Sequence, residues 1–331
     1  MVSRIALASL PKDFPDFVRE PANTERILHL VNVPDRWRNV EPWLSQSGPS
    51  WTDHFFDVEQ VVDAGLDAQK LPSLRLDFAV TFAAARAAHA RNFPAIDPTK
   101  NIDHTKEWIG FAPWSVTEWY QKVRSAFSYL KAYEEVGGTP DEIANAKADA
   151  IYAMGILGHY VGDCAQPLHT SKHHAGWVGA NPHGYTTWSG FHTWMDSGFI
   201  YKAGINFEQL APRVNLAEPL AVAPRPDGRD PFFVVALNYI LAQNEMVEPL
   251  YRLEKARLLG NGENPITPEG RAFVEGQLLK GGSMLAQVWL TAWKTAPIDT
   301  YLRTQILGKR QMTAGAKASG TVPAAATKSA P

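Results

Sequence analysis

Two histidine–aspartate pairs, His159/Asp163 and His192/Asp196, bracket a further histidine, His169, near the middle of the chain. Each pair is spaced i,i+4, and side chains at that spacing share one face of a helix. An imidazole and a carboxylate so placed make half of a metal site on a single turn. Six of the ten histidines fall between His159 and His192, which concentrates ligand chemistry in one short region. Imidazole and carboxylate are the donor types of catalytic zinc sites, which leave a position open for water. Two half-sites with a histidine between them predict more than one divalent metal and point to a metal-dependent hydrolase. A single such pair reads more readily as a surface ion pair; the clustering is what favours ligation.

Helices must position these residues. Thr139-Pro140-Asp141-Glu142 is a capping box with proline at the first helical position. It opens a helix whose apolar positions Ile143, Ala146, Ala150, Met154, Leu157 and Val161 recur every three or four residues until Pro167 stops it. At ~1.5 Å rise per residue that helix spans roughly 35 Å and carries His159 and Asp163 on its last turns. Gly155, Gly158 and Gly162 surround them, and each costs a helix roughly 1 kcal/mol relative to alanine. Close approach of other groups to a metal cluster is the expected compensation. Ser115-Val116-Thr117-Glu118 reads as another capping box, for a helix running to about Tyr133 before Gly137-Gly138. Asp230-Pro231 and Thr267-Pro268 repeat the cap-then-proline signature. The helix from Pro231 is expected to kink at Pro249 and stop near Gly260, and the last one to run from Pro268 toward Pro297. Strand signals are weak, so the fold class is all-α, a single multi-helix domain over 1–307. From 308 to 331 the chain is small and polar and reads as a disordered tail.

Composition excludes several classes. The formal net charge of −2 gives no electrostatic case for duplex nucleic acid. The single cysteine, Cys164, rules out an intramolecular disulfide and reads as a small buried filler. No apolar run is long enough to span a membrane. The most apolar stretch, Leu74 to Ala90, carries Arg75, Asp77 and Arg86 and reads as a packed helix. No signal peptide starts at Met1. A monomer is the expected oligomeric state. His173, His174 and His183 lie in a Gly/Asn/Pro loop and read as mostly solvated, His89 and His104 as structural or surface residues, and His29 as a core histidine. The chain has no Gly-x-Ser-x-Gly, which disfavours a serine hydrolase.

The stretch Gly158-His159-Tyr160-Val161-Gly162-Asp163-Cys164-Ala165-Gln166-Pro167-Leu168-His169 resembles the signature of the zinc-dependent phospholipase C and single-strand-specific nuclease superfamily, the mung bean nuclease type. Gly179-Ala180-Asn181-Pro182-His183-Gly184 and His192-Thr193-Trp194-Met195-Asp196 resemble the elements that follow it in the nuclease branch. Upstream, Pro34-Asp35-Arg36-Trp37-Arg38 and Asp53-His54-Phe55-Phe56-Asp57 stand as counterparts of the family's remaining ligand segments. The resemblance covers nearly all of the chain ahead of the tail.

The resemblance implies one zinc held by Asp35, His54, His159 and Asp163 and a second by His169, His192 and Asp196, with Asp163 bridging the pair. It implies phosphate contact by Arg38, orientation of groups near the attacking water by Asp57, and catalysis through a metal-bound hydroxide with Asp163, Arg38 and Asp57 in the catalytic set. Phe55, with Phe56, offers a stacking face for a base. The implied function is a zinc-dependent phosphodiester hydrolase, foremost an endonuclease acting on single-stranded nucleic acid or nucleotides. The closing Asp196, where the phospholipase branch tends to have Glu, leans that way. The alternatives are a phospholipase C-like hydrolase of phospholipid headgroups and a non-catalytic zinc-binding relative. The family holds a third zinc through an N-terminal Trp and a nearby His. Here no Trp or His precedes Asp35 except His29, so a third zinc is expected only for a chain that extends upstream of Met1, which would be secreted or periplasmic.

Overall fold

The computed structural model of the chain describes residues 1–40, 49–101 and 104–318. In chain order the helices are α1 (Val2–Ser9), α2 (Pro21–Leu30), α3 (Val33–Val40), α4 (Val58–Asp63), α5 (Arg75–Ala88), α6 (Ala112–Val136), α7 (Pro140–Ala165), α8 (Phe191–Thr193), α9 (Phe199–Ala203), α10 (Phe207–Leu210), α11 (Pro231–Asn244), α12 (Val247–Lys255), α13 (Pro268–Thr295) and α14 (Thr300–Ala318). Among the described residues there is no strand, only an isolated bridge between Leu259 and Ile266. The class is all-α.

The central helix is α7. Its capping box is reciprocal: Glu142 N–H donates to Thr139 Oγ1 at 3.2 Å, and Thr139 N–H donates to Glu142 Oε2 at 2.8 Å. The expected stripe is buried at Ala146, Ala150, Met154, Leu157 and Val161. Helix α6 ends at a left-handed Gly137 (φ 72°), whose N–H closes on Tyr133, and α7 then packs back against it. Helices α1, α2 and α13 pack on the other sides. Two glycines of α7 serve that packing. A Cβ on Gly155 would stand 2.4 Å from Leu30 Cβ, and one on Gly158 would stand 3.0 Å from Ser3 Oγ. The compensation for these glycines is helix–helix approach, not the ligand cluster as expected. Gly162 has nothing within 4 Å of the same position.

Three boundaries differ from expectation. Helix α6 begins a turn early, capped at Phe111, so Ser115 lies inside it and its Oγ donates to Phe111 O at 3.1 Å. Glu118 is thereby released to bind Arg75. Pro249 does not kink one helix; the chain divides into α11 and α12, with Pro249 in the first turn of α12, where a missing N–H is tolerated. Helix α14 continues past Gly308 to Ala318, beyond the expected start of the tail, and residues 319–331 lie outside the described residues.

Two apolar clusters organise the interior. The larger joins α1, α2, α6, α7, α11 and α13. The smaller, around Phe191, Phe199, Leu210, Leu250 and Tyr251, carries residues 191–203.

Candidate metal centre

Five separate segments bring their histidines and aspartates to the carboxyl end of α7. Asp35 comes from the first turn of α3, His54 from a 3-10 turn (Pro49–His54), and His159 and Asp163 from α7. His169 comes from the turn Pro167–Thr170. His192 lies on α8, and Asp196 in a π-helical turn (Trp194–Gly198) that joins α8 to α9. Such turns are frequent at functional sites because they re-aim one side chain within a helix.

The ligand atoms form two groups that could hold a metal ion, Asp35/His54/His159 and His169/His192/Asp196, each with its atoms within 4.8 Å of one another. In the first, His159 Nε2 lies 2.8 Å from His54 Nδ1, 3.1 Å from Asp163 Oδ2 and 4.0 Å from Asp35 Oδ1. His54 Nδ1 is 3.0 Å from the same Asp163 Oδ2. In the second, His192 Nε2 lies 3.0 Å from both His169 Nε2 and Asp196 Oδ2, and His169 Nε2 is 3.6 Å from Asp196 Oδ1. Ligands about 2.1 Å from a tetrahedral ion stand roughly 3.4 Å apart, and these separations straddle that value.

Tautomers sharpen the case. His159 Nδ1–H donates to Val31 O at 2.8 Å, and His169 Nδ1–H donates to His54 O at 2.9 Å. In its neutral form each ring turns the lone pair of Nε2 toward a second imidazole nitrogen and a carboxylate. A cation between these atoms could take all of them as ligands, and backbone acceptors behind the rings are the usual outer support of metal-binding imidazoles. The electrostatics report the same demand. Burial pulls the His169 imidazolium down, but Asp163 and Asp196 outweigh it and lift the group to about 9. Burial opposes ionisation of Asp163, yet His159, His169 and His54 hold it well below the usual carboxylate range. Asp196 is likewise depressed against burial by His169 and His192. The donor set and its outer partners fit a divalent cation with nitrogen and oxygen ligands.

Neighbouring residues lock the frame. Phe56 N–H donates to His169 O at 2.9 Å, so the His54 and His169 segments clasp each other in both directions. Gln166 Nε2 donates to Asp196 Oδ1 at 2.8 Å. Glu59 accepts from Ser171 Oγ (2.8 Å) and Asn244 Nδ2 (2.9 Å), pinning the chain just after His169. Arg75 binds Asp53 Oδ1 at 2.5 Å, Glu118 at 2.9 and 3.0 Å, and Ser115 Oγ at 3.0 Å. It ties the residue before His54 to α6. His192 has no such support; its Nδ1 is buried without a hydrogen-bond partner.

Other expected residues land as follows. Arg38 lies on α3, and its side chain is outside the described residues. Phe55 is half-buried, its ring 6.1 Å from that of Trp51, which is in turn 5.8 Å from the His54 ring. Phe56 is fully buried between Phe78 and Trp114 and presents no stacking face. Asp57 is buried; Oδ2 accepts from Gln60 Nε2 at 2.9 Å and Oδ1 has no partner. Burial, reinforced by Glu59, pushes its carboxyl well above the usual range against Lys172. Its side-chain hydrogen bond goes to Gln60 and its N–H to Ile109 O, neither of them a ligand residue. His173 is not solvated: it is buried, stacks on Trp177 at 3.9 Å and accepts from Val178 N–H at 3.1 Å. His29 is exposed on α2 rather than in the core, while His183 is exposed and Cys164 buried, as expected. Trp51, Arg75, Glu59 and the role of Gln166 escaped the sequence reading. Only Gln166 stood within a recognisable motif; the others act through partners far away in the chain.

Compared with protein-family models, curated proteins and solved structures, the chain gives no match.

Proposed function

We propose that this protein is a zinc-dependent phosphodiester hydrolase acting on single-stranded nucleic acid or nucleotides. The observation that carries the reading is the pair of imidazole–carboxylate groups meeting at the end of α7, with ring lone pairs turned inward and backbone carbonyls behind them. Asp35, His54, His159 and Asp163 would hold one zinc, and His169, His192 and Asp196 a second. Zinc bound there supplies Lewis-acid stabilisation of phosphoryl charge and lowers the pKa of water to roughly 7. Asp163, ionised through its histidine contacts, would bridge the two groups, as the family resemblance implies. Val31 O and His54 O keep His159 and His169 in the ligating tautomer, and Gln166 holds Asp196. Arg38 is assigned to the phosphate by the family resemblance.

The half-buried Trp51–Phe55 pair beside His54 favours a planar base over a lipid headgroup. The deciding experiment loads the protein with zinc and offers a single-stranded oligonucleotide and phosphatidylcholine side by side. Cleavage of the oligonucleotide, lost in Asp163→Asn, supports the reading. Cleavage of phosphatidylcholine alone transfers the site to phospholipase chemistry, and two bound zinc ions with neither activity leave a non-catalytic zinc protein.

A further inference from the structure

Residues Thr170 to His173 leave the turn that carries His169, and they are largely shut away from water: Thr170 and Ser171 are fully buried and His173 nearly so. Buried irregular backbone must find partners for its polar groups. Here they come from three helices far apart in the chain. From α4, Glu59 Oε1 accepts from Ser171 Oγ at 2.8 Å, Glu59 Oε2 accepts from Lys172 N–H at 3.1 Å, and Asp63 Oδ2 accepts from Lys172 Nζ at 2.6 Å. From the end of α11, Asn244 Nδ2 donates to Thr170 O at 2.8 Å and to Glu59 Oε1 at 2.9 Å. From α12, the Tyr251 hydroxyl donates to His173 O. Side-chain and backbone donors from two segments thus converge on the single carboxylate of Glu59.

We propose that Glu59 is a positioning residue of the second metal group: its carboxylate fixes the chain leaving His169 and thereby sets that group's affinity for zinc. The proposal rests on the reading of His169, His192 and Asp196 as zinc ligands. Two bonds to the His54 segment already orient the His169 residue, from His169 Nδ1–H to His54 O at 2.9 Å and from Phe56 N–H to His169 O at 2.9 Å. Glu59 holds the next stretch, so the turn is clamped on both sides of the ring. An acceptor-only group suits the three donors that meet it, and glutamine does not. With the amide oxygen in the place of Oε1, the NH2 group faces Lys172 N–H. With the oxygen in the place of Oε2, the NH2 group faces Asn244 Nδ2, and turning the Asn244 amide over would set its oxygen against Thr170 O. Either orientation opposes two donors in a site closed to water, which leaves a hydrogen bond unmade. The first group has other anchors: His159 is held by Val31 O, and the His54 turn is tied to α6 through Asp53 and Arg75.

The test is calorimetric titration of the full metal-free chain with zinc, for the wild type and for Glu59→Gln, each alone and combined with His192→Ala. The wild type takes up two ions. Glu59→Gln weakens one of them by roughly 10- to 100-fold, the scale of outer-shell changes, and leaves the other unaltered. His192→Ala removes the weakened event. Adding Glu59→Gln to it then changes nothing at the remaining ion, a non-additivity that locates the effect at the second group. Asn244→Ala takes one donor from the carboxylate and keeps Glu59; it gives the same selective loss, up to about tenfold, and decides the matter if Glu59→Gln does not fold. Equal weakening of both ions, or of neither, overturns the proposal and leaves the zinc reading standing. A wild-type chain that takes up no zinc overturns that reading and the proposal with it.

Discussion

The two ligand groups are built from the same chemistry but differently supported. Asp163 and His159 extend from a helix interior, His54 and His159 are buried, and their surroundings belong to the larger apolar cluster. The second group is more open at its histidines: the His192 side chain is 24% exposed against 4% for His54 and 6% for His159, and it lacks an outer partner, whereas Asp35 and Asp196 are alike at 45% and 41%. This group rests on the smaller cluster and on a π-helical turn. The first group is therefore preorganised, because its rings are held by packing and by Val31 and Asp163. The second depends more on the ion it would hold.

The largest effect should follow Asp163→Asn, which removes the carboxylate contacted by His54 and His159. Turnover should fall about 10³-fold or more, and metal analysis should show loss from the first group at least. Retained turnover removes Asp163 from the chemistry.

Next, His159→Ala and His192→Ala should separate the groups. Each should leave about one ion per chain, but His159→Ala should also lower the melting temperature of the metal-free chain, because it opens a cavity in a packed wall. Equal effects on the metal-free chain would erase the proposed asymmetry.

Arg75→Met should weaken the first group's metal affinity by roughly 10- to 100-fold, the scale of outer-shell changes, while sparing the second. Calorimetric titration resolves the two. Arg75→Lys should recover part of the loss; a uniform loss at both groups would mean general destabilisation.

The pH dependence follows from His169. Its folded-state value of about 9 exceeds the ordinary value of 6.5. Protonation therefore stabilises the metal-free fold fully below about pH 6.5, and that contribution fades as pH rises through about 9. Metal competes with the same proton, so its affinity should grow across this window. Melting curves of metal-free and zinc-loaded protein should diverge steadily from pH 6.5 to 9. A constant gap would show that no proton is displaced.

The smallest effect concerns Gly162, where a Cβ meets nothing within 4 Å. Gly162→Ala should raise stability by about 0.5–1 kcal/mol through helix propensity, measurable by denaturant unfolding, whereas the same change at Gly155 should destabilise.

Much of this was legible in local pattern. The Thr139 box, the stripe of α7 and the stop at Pro167 depend on neighbours within a few residues, and all appear as read. The i,i+4 pairs placed His159 with Asp163, and His192 with Asp196, for the same reason. Ser115 misled because its box motif was met by an earlier start at Phe111, where tertiary contacts of the preceding loop take over. Phe55 and Phe56 show the limit within one dipeptide: alternate sides of an irregular turn send one to the site's edge and the other to the core. Asp35 and His54 carry no local signature and entered only through the family resemblance.

Sequence alone determined the helical class, the central helix and the ligand types it carries, since these follow from short-range periodicity, caps and side-chain chemistry. Tertiary structure alone decided that Asp35, His54 and His169 meet that helix, that Arg75 anchors the His54 turn, and that Glu59 meets the chain behind His169. Convergence and exposure are properties of how distant segments share space, and no spacing along the chain encodes them.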